Sequence, residues 1–168
     1  MKTTLALSTL AIALSSFTNY NSSKMSDRSI DHFGRATLTA LQHASLSEYQ
    51  VLFPALDEFY LIMEKQSGVY GSTLEDAKAD FANTYQEKLM PELHESFKRI
   101  MKEGKEIGID WKTVQVLRVE NDEVESVDFN HATLRVVFSA QGVEHALVLR
   151  KALIINNQWK ISPFADLI

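Results

Sequence analysis

Three residues in the second half of the chain could do acid–base chemistry if the fold brought them together: Arg118, Glu125 and His145. A histidine titrates near neutral pH, and a neighbouring carboxylate can exchange a proton with it. An arginine fork can hold an anionic group beside them. The turn signals give these residues a common row. Asn121-Asp122 tolerates the positive φ of a two-residue hairpin and pairs Arg118 with Glu125. A connection near His131-Ala132 sets Glu125 beside Phe138. The Gln141-Gly142 turn then sets Phe138 opposite His145. The plainer reading leaves the row in water, with Arg118 and Glu125 as an ordinary cross-strand pair, because long charged side chains are seldom buried unless paired.

Other chemistry-bearing groups are sparser. Asp57 and Tyr60 lie one helical turn apart, as an acid and a hydroxyl donor could in a pocket. Against that, Tyr60 suits a core aromatic with its hydroxyl at the rim, and Asp57 a first-turn carboxylate favoured by the helix dipole. His94 stands near Glu92 and Glu95 but has no second histidine at i±4, so a solvated helix face is the better reading than a metal site. His32 and His43 flank the first helix without partners in sequence. There is no Gly-rich phosphate loop and no Gly-x-Ser-x-Gly elbow. Nothing calls for a cofactor or a metal.

Composition narrows the classes further. The chain has 168 residues, 45% of them hydrophobic and 23% charged, which suits one domain with its own core. Its net charge of −5, without a basic run, gives no electrostatic reason to bind nucleic acid or anionic lipid. The absence of cysteine excludes disulfides, thiolate metal sites and cysteine nucleophiles. At the N-terminus, Met1-Lys2 precedes an apolar run from Leu5 to Leu14, followed by the small residues around Ala13-Leu14-Ser15. This pattern is that of an export signal covering about residues 1–23, too short to span a bilayer. With no cysteine after it, a bacterial lipid anchor on a cysteine cannot form. The expected product is an exported domain over 24–168, periplasmic or extracellular.

The elements that would position the row are helices first, about 30–104, then an antiparallel meander, about 110–164. Phe33, Leu38 and Leu41 mark a helix over Ile30–Ala44, weakened by Gly34. Ser45-Leu46-Ser47-Glu48 and Ser72-Thr73-Leu74-Glu75 each read as a capping box. A short helix should end near Phe53, and another should begin at Pro54. The longest helix keeps an apolar stripe from Leu74 to Met101, with Pro91 predicting a kink or two helices end to end, and Gly104 and Gly108 closing it.

In the meander, three predicted registers sort the side chains consistently. Val114, Val116, Val127, Phe129, Leu134, Val136, Leu147 and Leu149 fall on one face. Gln115, Asp128, Asn130, Thr133, Arg135 and Arg150 fall on the other, with Asp128 opposite Arg135 and with Leu117, Val137 and Val148 mixed in. For the last hairpin, Asn156-Asn157 is the turn. A three-residue loop through Gln158 is preferred, because it returns Trp159 and Ile161 to the apolar face.

Helices followed by a long meander that ends in a turn and Trp159-Lys160-Ile161 resemble the nuclear-transport-factor-two-like superfamily, whose curved sheet wraps a helix in a cystatin-like cone. The Leu52-Phe53-Pro54 step resembles a helix junction of its exported bacterial members. One departure is that only Val69-Tyr70 could fill the strand usually found between the early helices and the last one. Ketosteroid isomerase and scytalone dehydratase belong to this superfamily, but no matching catalytic motif is present, so no residue is carried over.

The resulting expectation is an α+β domain with helices packed on one face of a curved antiparallel sheet. Its leading function is a non-enzymatic exported module holding a small apolar ligand or a protein partner in the cone. Arg118, Phe138, His145, Tyr60 and Phe129 are the expected ligand contacts, with Arg118 suited to an anionic ligand. The alternatives are a cofactor-free isomerase, dehydratase or hydrolase using His145 with Glu125 or Asp57, and a structural or inhibitory domain with a filled cone. Open sheets of this superfamily often pair, which leaves a homodimer open.

Overall fold

Apolar spacing, caps and turns place the elements. The computed structural model describes residues 27–65, 73–122 and 131–168, in the order helices, then antiparallel sheet. Helix α1 (Asp27–Gln42) buries Ile30, Phe33, Leu38 and Leu41. Ala44, in the left-handed region at φ 48°, turns the chain into α2 (Leu46–Val51). The expected Ser45 cap is present, its hydroxyl accepting from the amide of Glu48 at 3.2 Å. The chain then crosses Phe53-Pro54 into α3 (Leu56–Lys65), which buries Phe59, Ile62 and Met63.

The second cap sits one residue later than expected. Thr73, not Ser72, opens α4 (Leu74–Thr84) by accepting from the amide of Asp76. Before Pro91 the helix widens into a π-turn (Tyr85–Leu89) and continues as α5 (Met90–Glu106). Pro91 has no amide proton and its ring crowds the carbonyl four residues back, so a local i→i+5 turn accommodates it without ending the helix. Gly108, at φ 83°, terminates α5, but Gly104 is an interior helical residue packed against Trp111. Trp111 lies in a short 3₁₀ turn (Trp111–Thr113) that leads into the sheet.

The sheet contains β1 (Gln115–Asp122), β2 (His131–Ala140), β3 (Val143–Ile155), β4 (Gln158–Lys160) and β5 (Ala165–Leu167). Its order is β1-β2-β3-β4, with β5 pairing β3 alongside β4's end of the sheet. The Gln141-Gly142 hairpin has the expected register: Phe138 opposite His145, Val136 opposite Leu147, Leu134 opposite Leu149.

The first hairpin is different. Asn121 and Asp122 are strand residues opposite Leu134 and Thr133, so they do not form the expected turn. His131 and Ala132 are not a connection either, since they pair with Leu153 and Ala152. The segment holding Glu125, Val127, Asp128, Phe129 and Asn130 lies outside the described residues, as do Val69 and Tyr70.

A bulge decides which way β1 faces. Val116 lies opposite Phe138, yet Arg118, not Leu117, lies opposite Val137, so Leu117 is an extra residue. It is exposed, while Val116 and Val119 turn inward. The extra residue reverses the side-chain alternation, and Arg118 faces away from the helices.

A second bulge corrects the last hairpin. Asn156 and Asn157 form a two-residue turn with φ 51° and 61°, and Ile154 faces Trp159 directly. No bulge sits at Gln158. It sits instead in β3, where Lys151 takes φ 52° and the pairing jumps from Leu134–Leu149 to Ala132–Ala152. That jump already restores the parity, so Trp159 and Ile161 are buried without a longer loop.

The helices cover the concave side of this curled sheet, an α+β arrangement as expected. Leu134, Val136, Phe138, Leu147 and Leu149 are at most 1% exposed there. Above them, Phe53, Phe59, Phe81 and Tyr85 form an aromatic cluster with centroids 4.9 to 6.5 Å apart. Phe33 stacks on Trp159 at 6.4 Å, tying α1 to β4.

The Phe53-Pro54 crossing is pinned from both sides. Ile161 donates its amide to the carbonyl of Leu52 at 2.9 Å, and the Tyr85 hydroxyl donates to the carbonyl of Pro54 at 3.0 Å. Beside it, Glu58 accepts from the amide of Ala55 at 2.9 Å and from Nζ of Lys160 at 2.8 Å. Both side chains of this ion pair are more than four-fifths buried. Lys160→Met is therefore expected to lower stability by about 1–2 kcal/mol in urea unfolding, because it leaves a half-satisfied carboxylate. The double variant Glu58→Leu/Lys160→Met should recover most of that loss. Additive losses in the double variant would show that the pair is not coupled.

Candidate functional site

Of the expected row, the structure brings Phe138 and His145 together and turns Arg118 away. Phe138 and His145 are neighbours on the concave face, their rings stacked at 5.7 Å and 27°. Trp111 extends the stack, 5.7 Å from Phe138. Arg118 lies on the opposite face because of the Leu117 bulge. There it donates to Glu120 at 2.6 Å and to Glu144 at 2.9 Å, which holds the Glu144 carboxyl below its ordinary range. Glu125 and Phe129 lie outside the described residues. His145 is half-buried and makes no hydrogen bond or ion pair among the described residues, so Phe138 is its neighbour in this stack and no described acid serves it.

Asp57 and Tyr60 both lie on α3, as expected, with different partners. Asp57 is exposed, and its carboxylate accepts from the amide of Glu58. Tyr60 packs between α3 and α4, where its hydroxyl reaches the carbonyl of Lys78 at 3.5 Å and Lys78 Nζ lies 5.6 Å from its ring. Tyr60 thus bridges α3 and α4, while Asp57 is bonded within the first turn of α3. Arg135 pairs across β1–β2 with Glu120 at 3.9 Å, and its expected partner Asp128 lies outside the described residues. Arg150 meets Asp166 at 2.6 Å, so the convex face carries a set of exposed ion pairs. Such exposed pairs are screened by solvent and add little to stability. Among the described residues no group of three or more histidine and acidic side chains could hold a metal. No described helix is long and apolar enough to cross a membrane.

A concave surface exists elsewhere, between α1 and α2. His32, Arg35, Ala36 and Thr39 recur at helical spacing on the outer side of α1. Glu48, Val51 and Leu52 face them from α2 and its end. Together they line an open groove of about 370 Å³, at the small end of the range for ligand sites. The turn at Ala44 and the Ser45 cap set the angle between its walls. Val51 is 76% exposed at the groove, the most exposed large apolar side chain described.

The rim is charged and partly self-paired. Arg35 donates Nε to Asp31 at 2.7 Å, which holds the guanidinium in its charged form. Glu48 accepts from Nδ1 of His43, its oxygens 2.9 and 3.1 Å away. His43, expected to stand alone, is thus the partner of Glu48. The sequence signal for this groove was present in the 32/35/36/39 spacing. One polar stripe and one exposed valine become a groove only once two helices are set side by side.

With this geometry in view, comparison with known proteins gives no further guide: no family model, no curated protein and no solved structure matches the chain.

Proposed function

We propose that this chain is a non-enzymatic binding module, exported as its N-terminal pattern suggests, that holds the apolar part of a small molecule in the α1–α2 groove. The observation that carries this reading is the pairing of an exposed Val51 with Leu52 and Ala36 on the floor of a charged-rim groove. Of the residues expected to line the cone, Val114, Leu134 and Leu149 are buried together with the helices' Phe59 and Phe81 and with Trp159 in one packed core. The enzymatic alternative lacks support in the described residues, since His145 has no acid partner there. The nuclear-transport-factor-two-like resemblance agrees with the α+β layout and remains part of this proposal.

The packed interior also favours a second reading, a structural or inhibitory domain with a filled cone. Titration with octan-1-ol, followed by amide chemical shifts, separates the two. The binding reading expects shifts centred on Ala36, Thr39, Val51 and Leu52, and their loss in Val51→Asp. Val51 is exposed, so its replacement should leave the fold intact. Absence of groove shifts would favour the structural reading.

A further inference from the structure

We infer that the groove selects an anionic amphiphile, specifically a free aliphatic monocarboxylate, with Arg35 gripping the carboxylate and Val51, Leu52 and Ala36 taking the chain. This inference rests on the binding reading above and adds the ligand's chemistry to it.

The argument is a count of which polar groups around the groove still have bonds to give. Of the lining residues, Glu48 is the one acid, and both of its oxygens already face Nδ1 of His43. Arg35 uses Nε on Asp31, and the N–H groups of its two terminal nitrogens donate to no described residue. A guanidinium has five N–H donors in a planar fork, so one edge remains for a planar two-oxygen acceptor. The His32 ring and the Thr39 hydroxyl, on the same stripe of α1, form no hydrogen bond among the described residues. Thr39 and His32 can donate or accept, whereas the open edge of Arg35 can only donate and carries a charge, so the one-sided demand of the lining is for an acceptor of negative charge beside an apolar floor. A carboxylate on an aliphatic chain matches both halves. A neutral alcohol would match the floor and could take one hydrogen bond, but would bring neither the charge nor the second oxygen that the fork accommodates. A dianion would exceed the charge available, because Asp31 already offsets part of Arg35's.

The test compares octanoate with octan-1-ol, two chains of equal length that differ in the head group. Amide shifts are followed on the full chain and on Arg35→Gln. Arg35 is exposed on the outer side of α1, so far-ultraviolet circular dichroism should show the variant folded. Octanoate is expected to shift Ala36, Thr39, Val51 and Leu52, and to bind about tenfold more weakly to Arg35→Gln, the range for losing a charge-assisted hydrogen bond. Octan-1-ol should bind both forms equally. Equal binding of octanoate and octan-1-ol, unaffected by Arg35→Gln, would overturn the carboxylate inference and leave the groove reading standing. Octanoate shifts confined to other residues would overturn the inference as well. If neither probe moves the groove amides, both readings fall.

Discussion

Gly104→Ala is expected to lower the stability of the fold by about 3 kcal/mol, although alanine is the better helix former by about 1 kcal/mol. The reason is contact. A β-carbon at position 104 would stand 2.5 Å from Cζ2 of Trp111 and 2.7 Å from its Cε2 and Nε1. The indole has little room to withdraw. It is buried and tilted against Phe138, which is itself fully buried and stacked on His145. Either the ring is forced off its packing or α5 moves away from the sheet, and both lose buried apolar area. Urea unfolding should show the shift in midpoint, and near-ultraviolet circular dichroism should show the disturbed tryptophan. Trp111→Phe in the Gly104→Ala background should restore a large part of the loss, because the smaller ring clears the methyl and removes an indole N–H that has no hydrogen-bond partner among the described residues. An alanine variant as stable as the parent would show that the helix and Trp111 can separate at little cost.

The second large effect is alkaline. Tyr49 is completely buried between α2 and α5, its ring 5.2 Å from Phe97. Burial pushes its phenol up to about 12, against the opposing pull of the Ser96 hydroxyl beside it and the charge of Arg99. In the unfolded chain a tyrosine ionises near ~10. The folded protein therefore keeps a proton that the unfolded chain gives up. The contribution is fully present below about pH 10 and is lost as the pH rises through the interval from about 10 to 12. The loss amounts to about 2–3 kcal/mol when the interval has been crossed. Burial raises the Tyr85 phenol too, with Glu58 and Asp57 adding to it, so its contribution has the same sign.

Tyr49→Phe isolates the Tyr49 part. The variant should lose about 2–3 kcal/mol less than the parent between pH 10 and 12, as measured by urea midpoints at each pH. At neutral pH it should be within about 1 kcal/mol of the parent, because the buried Tyr49 hydroxyl has no well-formed hydrogen bond to lose among the described residues. Parallel pH profiles for the two proteins would place the alkaline sensitivity elsewhere.

These two sites show where a linear reading runs out. Gly104 reads as a helix terminator and Gly34 as a weak point in a helix. In the fold both are places where a helix must touch something bulky. A β-carbon at Gly34 would stand 2.5 Å from Cγ2 of Val119, so the missing side chain lets α1 lie close on β1. Glycine by itself cannot announce which partner it makes room for.

Local chemistry by itself determined a good deal. The Ser45 cap, the break at Phe53-Pro54, the Gln141-Gly142 hairpin with its register, and the α+β order all follow from residues within a few positions of one another. Turn residues and caps act over such short distances, so they remain legible in one dimension. The site did not follow. A single extra residue at Leu117 reversed the direction of Arg118, and another at Lys151 brought Trp159 inward. A bulge reverses every side chain beyond it and leaves no mark on the alternation pattern at the point where it occurs. The row of Arg118 and His145 was thus undone by tertiary pairing. The α1–α2 groove, whose residues were in plain view, came into being only when the Ala44 turn laid two short stripes side by side.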